Sequence, residues 1–332
     1  MTLKKPRILV VGSFMMDLIA TASRAPKSGE TVVGEAFQTA PGGKGANQAV
    51  QCARLGALVT MAGQVGNDSF GREMVEAVAA SGVDVSHVAV DSAASSGIGH
   101  ILLEVSEHGA QNRITVVPGA NWTITTEQIT WVKDEIRDFD LVMMQFELPM
   151  QVIEAVADWA HQSGVAVMVN PAPAASISDT LLANTTYLSP NEHEAAMLAN
   201  HSIGVDNGIC MDNIKVVAHI FQNMGVKNLI ITMGGNGSIV AGQGGIFHTP
   251  CVHMPSVADP TAAGDSFVAA FCTGLAAGLN QNEALHFASY AAAITVSRMG
   301  ALPSLPTVAE VQRLMQERGF MGFNPMLLDH LK

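Results

Sequence analysis

Short runs of Val, Ile and Leu return along this chain, each followed by a stretch with helical spacing. That alternation restricts the fold more than any other feature. Residues 7–11, 58–65, 85–90, 141–146, 166–170, 186–188 and 228–232 read as strands. Helical segments are expected over 71–81, 126–136, 149–162, near Asp179, and over 192–199 and 212–224, with short strands between Gly237 and His253. Two Ala-rich helices, 264–278 and 282–298, close the series. Strands joined through helices pair in parallel and bury both faces. The expectation is an α/β fold, a doubly wound and mainly parallel sheet with helices on both faces, occupying residues 1–318 as one large domain. Two regions break the pattern. Residues 18–40 and 97–117 carry short β-prone pieces without helix partners, with a turn at Glu107-His108-Gly109. They predict a small separate sheet placed as a lid. Residues 319–332 give no pattern from which a role follows.

The formal charge of −12 argues against a nucleic-acid footprint and against an anionic membrane surface. Four cysteines lie far apart without metal-like spacing, and Cys52 and Cys272 fall inside expected helices as small core residues. No apolar run reaches membrane-spanning length, and the start of the chain is too strand-like for a signal peptide, so a cytoplasmic protein is expected.

The chemistry concentrates in Asp259-Pro260-Thr261-Ala262-Ala263-Gly264-Asp265-Ser266-Phe267. Ala262, Ala263 and Gly264 leave the backbone open to close approach. Phe267, Ala270, Phe271, Gly274 and Leu275 then mark one helical face. The unpaired N–H groups and partial positive charge of such a helix start make an anion hole. Asp265 at its rim reads in two ways, as a base for an attacking hydroxyl or as a helix cap. A second Gly-rich turn, Pro41-Gly42-Gly43-Lys44-Gly45-Ala46-Asn47-Gln48, opens a helix stopped by Gly56. It is neither a Walker loop nor a dinucleotide fingerprint. It serves a ligand through Lys44 and Asn47, or it is an ordinary loop with a solvated lysine. Asp17, Glu147, Asn170-Pro171, Asn191 and Thr232-Met233-Gly234 follow expected strands. Each alone suits turn or capping chemistry, but all fall at the carboxyl edge of the sheet, where ligands bind in such folds.

Gly42-Gly43-Lys44-Gly45-Ala46-Asn47-Gln48-Ala49 and the 259–267 stretch resemble, in order and spacing, the two signatures of the ribokinase-like (PfkB) carbohydrate kinases. Asn191-x-x-Glu194, Asn170-Pro171-Ala172-Pro173-Ala174 and Gly300-Ala301-x-Pro303-Ser304 are also similar to that family, and the likeness covers essentially the whole chain. The resemblance implies ATP-dependent phosphorylation of a sugar's terminal hydroxyl. Asp265 would be the base, with Ala262, Ala263 and Gly264 donating amides to the moving phosphoryl group. Asn191, Thr232, Gly234, Gly237, Gly264 and Ser289 would hold ATP, and Glu194 would act on Mg²⁺ through water. Asp17, Gly43, Lys44, Asn47 and Glu147 would hold the sugar. Asp259, Thr261, Thr295, Arg298, Gly300 and Ser304 resemble loops binding a monovalent cation, K⁺, mostly through carbonyls. The lid would make a homodimer contact. One position departs: in Gly12-Ser13-Phe14-Met15-Met16-Asp17, Met15 stands where ribokinases carry Asn. A thioether offers a sugar hydroxyl no hydrogen bond, which points to 2-deoxy-D-ribose. Met15 also fits as plain packing in a ribokinase or other small-sugar kinase, and a non-catalytic sugar-binding module on this fold is the remaining alternative.

Overall fold

The computed structural model describes residues 4–106, 109–204, 210–242 and 244–332. Its strands are β1 (Arg7–Val11), β2 (Met15–Ala22), β3 (Ala36–Gly42), β4 (Leu58–Gly66), β5 (Asp84–Asp91), β6 (Gly97–Ser106) and β7 (Gly109–Val117), followed by β8 (Leu141–Gln145), β9 (Ala166–Asn170), β10 (Tyr187–Leu188), β11 (Asn228–Thr232), β12 (Ser238–Gly242) and β13 (Gly245–Thr249). The helices are α1 (Lys44–Arg54), α2 (Ser69–Ala80), α3 (Trp131–Glu135), α4 (Met150–Ser163), α5 (Asp179–Asn184), α6 (Glu192–Ala199), α7 (Met211–Asn223), α8 (Ala263–Ala276), α9 (Gln281–Val296) and α10 (Val308–Glu317).

Nine strands form the main sheet in the order β13-β12-β11-β10-β9-β8-β1-β4-β5, parallel except for the antiparallel β11-β12-β13 edge. The two-residue period of a strand sends alternate side chains to opposite faces. Ile8, Val10, Met143 and Ile230 accordingly enter a core with α1, α8 and α9, while Leu9, Val11, Val142 and Ile231 enter another with α4 and α7. Burial on both faces explains why these strands read as continuous apolar runs rather than as alternating ones. The chain first builds β4 and β5 on one side of β1 and later β8 to β13 on the other. The crevice at a switch of this kind lies beyond the carboxyl ends of β1 and β8, where Gly12, Ser13, Gln145 and Glu147 sit.

The second sheet, β3-β2-β6-β7, is the separate lid-like sheet. It begins earlier than the expected start near residue 18: Met15, Met16 and Asp17 are the first residues of β2, paired with β3 and β6, so Asp17 is a strand residue and not a turn residue. The turn expected around Glu107 and His108 lies outside the described residues. The helix expected over 126–136 shortens to α3. The Thr130 hydroxyl donates to the carbonyls of Thr126 and Glu127, at 3.1 and 3.0 Å, and such local bonds compete with regular helix. Helices do not end at α9: Thr307 and Glu310 form a capping box that starts α10. Beyond it the chain folds back, burying Phe323, Leu328 and Leu331 in the α1 and α8 core. Among the described residues no helix is long and apolar enough to cross a membrane.

Candidate active site

The α8 N-terminus is built without a side-chain cap. Ala262 takes a left-handed conformation, φ 61°, an uncommon one for a residue with a Cβ. Ser266 N–H returns to Ala262 O at 2.8 Å. The N–H groups of Gly264 and Asp265 find no acceptor among the described residues. Asp265, 8 % exposed, does not cap this helix. Its Oδ2 accepts from Asn47 Nδ2 at 2.9 Å and its Oδ1 from Gln48 Nε2 at 3.0 Å, both on α1. Of the two readings of Asp265, capping is thus removed. Burial pushes its carboxyl above the usual range, against the opposing pull of Lys44, Asn47 and Gln48.

Two cavities meet at this helix start. The first, about 260 Å³, is polar and lined by Lys44, Asn170, Asn191, Glu194, Thr232, Ala262, Gly264 and Asp265 among others. The second, about 370 Å³, has apolar walls from Val252, Val257, Phe267, Ala292 and Val296, with Gly234, Gly237, Ala263 and Ser289 also lining it. Thr232, Pro260 and Gly264 belong to both. Gly237 is fixed at φ 85°, and a Cβ there would run into Thr249 O. Asn191 and Glu194 form the capping box of α6: Asn191 Oδ1 accepts from His193 and Glu194 N–H, and Glu194 Oε2 accepts from Asn191 N–H at 2.8 Å. The Asn191-x-x-Glu194 spacing is therefore structural as well as placed in the cavity wall.

On the other side of Asp265 lies the lid. Asp17 sits on β2 opposite Gly99 and Ala40. A Cβ at Gly99 would collide with Asp17 Oδ1, and one at Gly42 would lie 3.5 Å from Asp17 Oδ2 and 3.8 Å from Asn47 Oδ1. Two glycines thus hold Asp17 and Asn47 around one space. Burial, then Glu147, raises the Asp17 carboxyl to about 6. Asn47 Oδ1 is buried with no partner among the described residues. Gly43 begins α1 at φ 96°, where a Cβ would lie 2.7 Å from Met15 N. Glu147 closes the α1 N-terminus, accepting from Lys44 N–H at 3.0 Å and from the Ser13 hydroxyl. Burial raises the Glu147 carboxyl. Burial disfavours the Lys44 ammonium, but Asp265, Glu147 and Glu194 outweigh it and hold Lys44 charged above its usual pKa. Met15, 5 % exposed, packs its sulfur 3.7 Å from Asn121 Nδ2.

Asp259 joins the loops before α8 and after α9, accepting from Thr261 N–H and Gly300 N–H, both at 2.9 Å. Burial opposes its ionisation, but these bonds prevail and hold it below the carboxylate range. The hydroxyls of Thr295 and Ser304 donate inward, to Ser266 Oγ and Ala301 O. Arg298 pairs with Glu310 at 2.5 Å and brings no oxygen side chain, so from these residues a cation would meet carbonyls, the Asp259 carboxylate and the lone pairs of the hydroxyl oxygens. Oxygen donors of that kind suit a hard cation. Among the described residues no cluster of three His, Cys, Asp or Glu side chains forms a preset metal site. A Mg²⁺ here fits as an ion held chiefly by phosphates and water beside Glu194.

Sequence reasoning passed over Gln48, Gln145 and Ser13. The available signal was Gln145, an amide ending the buried apolar strand Leu141-Val142-Met143-Met144.

The carboxyl edge of the parallel sheet thus holds a buried carboxylate, an open helix N-terminus and paired polar and apolar cavities, an arrangement suited to group transfer onto an anion-bearing ligand. The description "pfkB family carbohydrate kinase" matches residues 5–308. The chain belongs to that family and is a carbohydrate kinase with the ribokinase-like fold. It is 38 % identical over 311 residues to a ribokinase of Schizosaccharomyces pombe, covering 92 % of this chain and 96 % of the relative. To a deoxyribokinase of Salmonella typhi it is 29 % identical over 304 residues, covering 91 % and 96 %. The solved structure of Arabidopsis thaliana ribokinase complexed with ribose and ATP aligns with a TM-score of 0.86 at 30 % identity, covering 94 % of this chain and 99 % of that one.

Proposed function

We propose that the protein transfers the terminal phosphoryl group of ATP to the 5-hydroxyl of a pentose, with Asp265 as the base. The carrying observation is the buried Asp265 carboxylate, placed at an uncapped helix N-terminus where the polar and apolar cavities meet and bonded to α1 rather than to its own helix. The apolar cavity suits a nucleobase, and the polar one suits phosphates facing the Gly264 N–H. The Arabidopsis relative binding ribose and ATP supports both ligands. In this reading Asp17, Asn47, Gly43 and Glu147 orient the sugar so that its hydroxyl meets Asp265. The base takes the proton as the oxygen attacks phosphorus, and the N–H groups of the α8 start hold the developing charge. Lys44, which the family resemblance gives to the sugar, lines the polar cavity with Asp265 and Glu194 and would also neutralise phosphates there. Mg²⁺ beside Glu194 would supply charge compensation, and K⁺ at the Asp259 loops would stiffen the helix start. The lid sheet keeps water from competing as acceptor.

Met15 carries the finer reading. With its thioether on the β2 face shared with Asp17, a hydroxyl placed against it lacks a partner, a loss of about 1–3 kcal/mol. The proposed substrate is therefore 2-deoxy-D-ribose. Ribose is the second reading, favoured by the higher identity to ribokinases and by the near-complete burial of Met15 as packing. The test is ADP release with each pentose for wild type and Met15→Asn. The proposal expects a higher kcat/KM for deoxyribose in wild type and a shift towards ribose in the variant. A wild type that prefers ribose, with a ratio untouched by the substitution, contradicts the deoxy reading.

A further inference from the structure

Behind the base lie two amides, Gln48 and Gln145, that line neither cavity. Gln48 is fully buried on α1, and Gln145 is fully buried at the end of β8. The polarity of the amides between them is set by one backbone group. Ser189 O can only accept, so Asn170 turns its Nδ2 towards it, at 2.7 Å. Asn170 Oδ1 is left to accept from Gln48 Nε2, at 3.1 Å. The other proton of that nitrogen goes to Asp265 Oδ1 at 3.0 Å. Gln48 Oε1 then faces β8 and accepts from Gln145 Nε2 at 2.6 Å. Gly12 makes room for this, because a Cβ there would lie 2.5 Å from Gln145 Oε1.

We propose that Gln48, oriented by Gln145 and Asn170, is a positioning residue for Asp265: it fixes the rotation of the base carboxylate and supplies a donor that only one amide orientation provides. The inference rests on the reading of Asp265 as base. With Asn47 on Oδ2 and Gln48 on Oδ1, each carboxylate oxygen receives one amide and keeps a lone pair for a substrate proton. Without Gln145, Gln48 Oε1 loses its donor, and only Asn170 Oδ1 is left to hold the amide with its nitrogen towards Asp265. The charged groups around Asp265 are Lys44 on α1, Glu147 after β8 and Glu194 on α6, and both variants below leave all three in place. Losing a donor to a buried carboxylate disfavours its ionised form.

The experiment compares wild type, Gln145→Met and Gln48→Glu, measuring kcat, pentose KM, the pH profile of kcat and thermal melting. A hydrogen bond to a charged group corresponds to a loss of about tenfold or more in kcat, while pentose KM stays within about threefold because neither side chain meets the sugar. The acid limb of kcat moves to higher pH in both variants. Folded variants with unchanged kcat and an unmoved acid limb overturn the proposal. So does a rise in KM at constant kcat, and so does loss of folding in both, which makes the amides a packing element. The protonated-carboxyl infrared band of Asp265, assigned by difference from Asp265→Asn, titrates at higher pH in Gln145→Met than in wild type without any turnover. A wild type that phosphorylates no pentose would remove the kinase reading, and the infrared titration would still decide this one.

Discussion

At the scale of single residues, environment separates carboxylates that look alike in the chain. Asp259 accepts two backbone N–H groups and is held ionised. Asp17 lies between two glycines beside Glu147, and its carboxyl is raised to about 6. Its pKa in the fold is above the usual carboxylate value, so the protonated form is favoured by folding. That contribution to stability is complete below about pH 4 and is lost as pH rises through about 6. The ionised form is the stronger acceptor for a sugar hydroxyl, so pentose kcat/KM is expected to rise with pH through about 6. Asp17→Asn should lose most of the sugar affinity and the part of the limb centred near 6, leaving only the limb of Asp265; an unchanged limb assigns it wholly to another group. The helix start around Asp265 was legible in the sequence from small residues before a helical face, although Asp265 itself read there as either base or cap. The role of Gln48 was not, because an amide donor and a helix-surface amide look identical until a carboxylate is seen beside it.

At the scale of elements, starts and stops decide where these groups point. Gly43 opens α1 with a backbone that excludes a side chain. Gly43→Ala is expected to destabilise the fold by about 1–3 kcal/mol and to raise sugar KM by displacing Lys44 N–H from Glu147, read by thermal melting and steady-state kinetics. Unchanged melting would remove that constraint. The Asp259 loops make a second prediction at this scale. Turnover should be higher in K⁺ than in Na⁺, and Asp259→Ala should abolish the difference; equal rates in wild type count against the cation site. Two elements were not evident in the sequence, each for its own reason. Only three residues separate β1 from β2, too few for a change of sheet to show in hydrophobic pattern. The capping box of α10 was written in Thr307 and Glu310 but followed a loop rather than a strand.

At the scale of the whole molecule, the alternation of apolar strands and helices was enough to place the main sheet, because a strand buried on both faces leaves a continuous apolar signature. The second sheet was legible as short β-prone pieces without helix partners at 18–40 and 97–117, but its strand order was not, because its half-exposed strands have weak pattern and their partners lie far apart in sequence. The lid face carrying Asp17 continues into Ile19, Ile101, Ile114 and Val116, of which Ile114 and Val116 are 54 % and 55 % exposed. An apolar strip bordering the sugar space is proposed to meet a second copy of the chain. Ile114→Glu is expected to convert a dimer to a monomer in sedimentation and to raise sugar KM; a monomeric wild type contradicts this.

The central claim is that Asp265 takes the proton of the attacking hydroxyl. Its most direct measurement is ADP release by Asp265→Asn with saturating pentose and ATP, with pentose binding followed by calorimetry. Turnover is expected to fall about a hundredfold or more with pentose affinity retained. Turnover near the wild-type rate would contradict it.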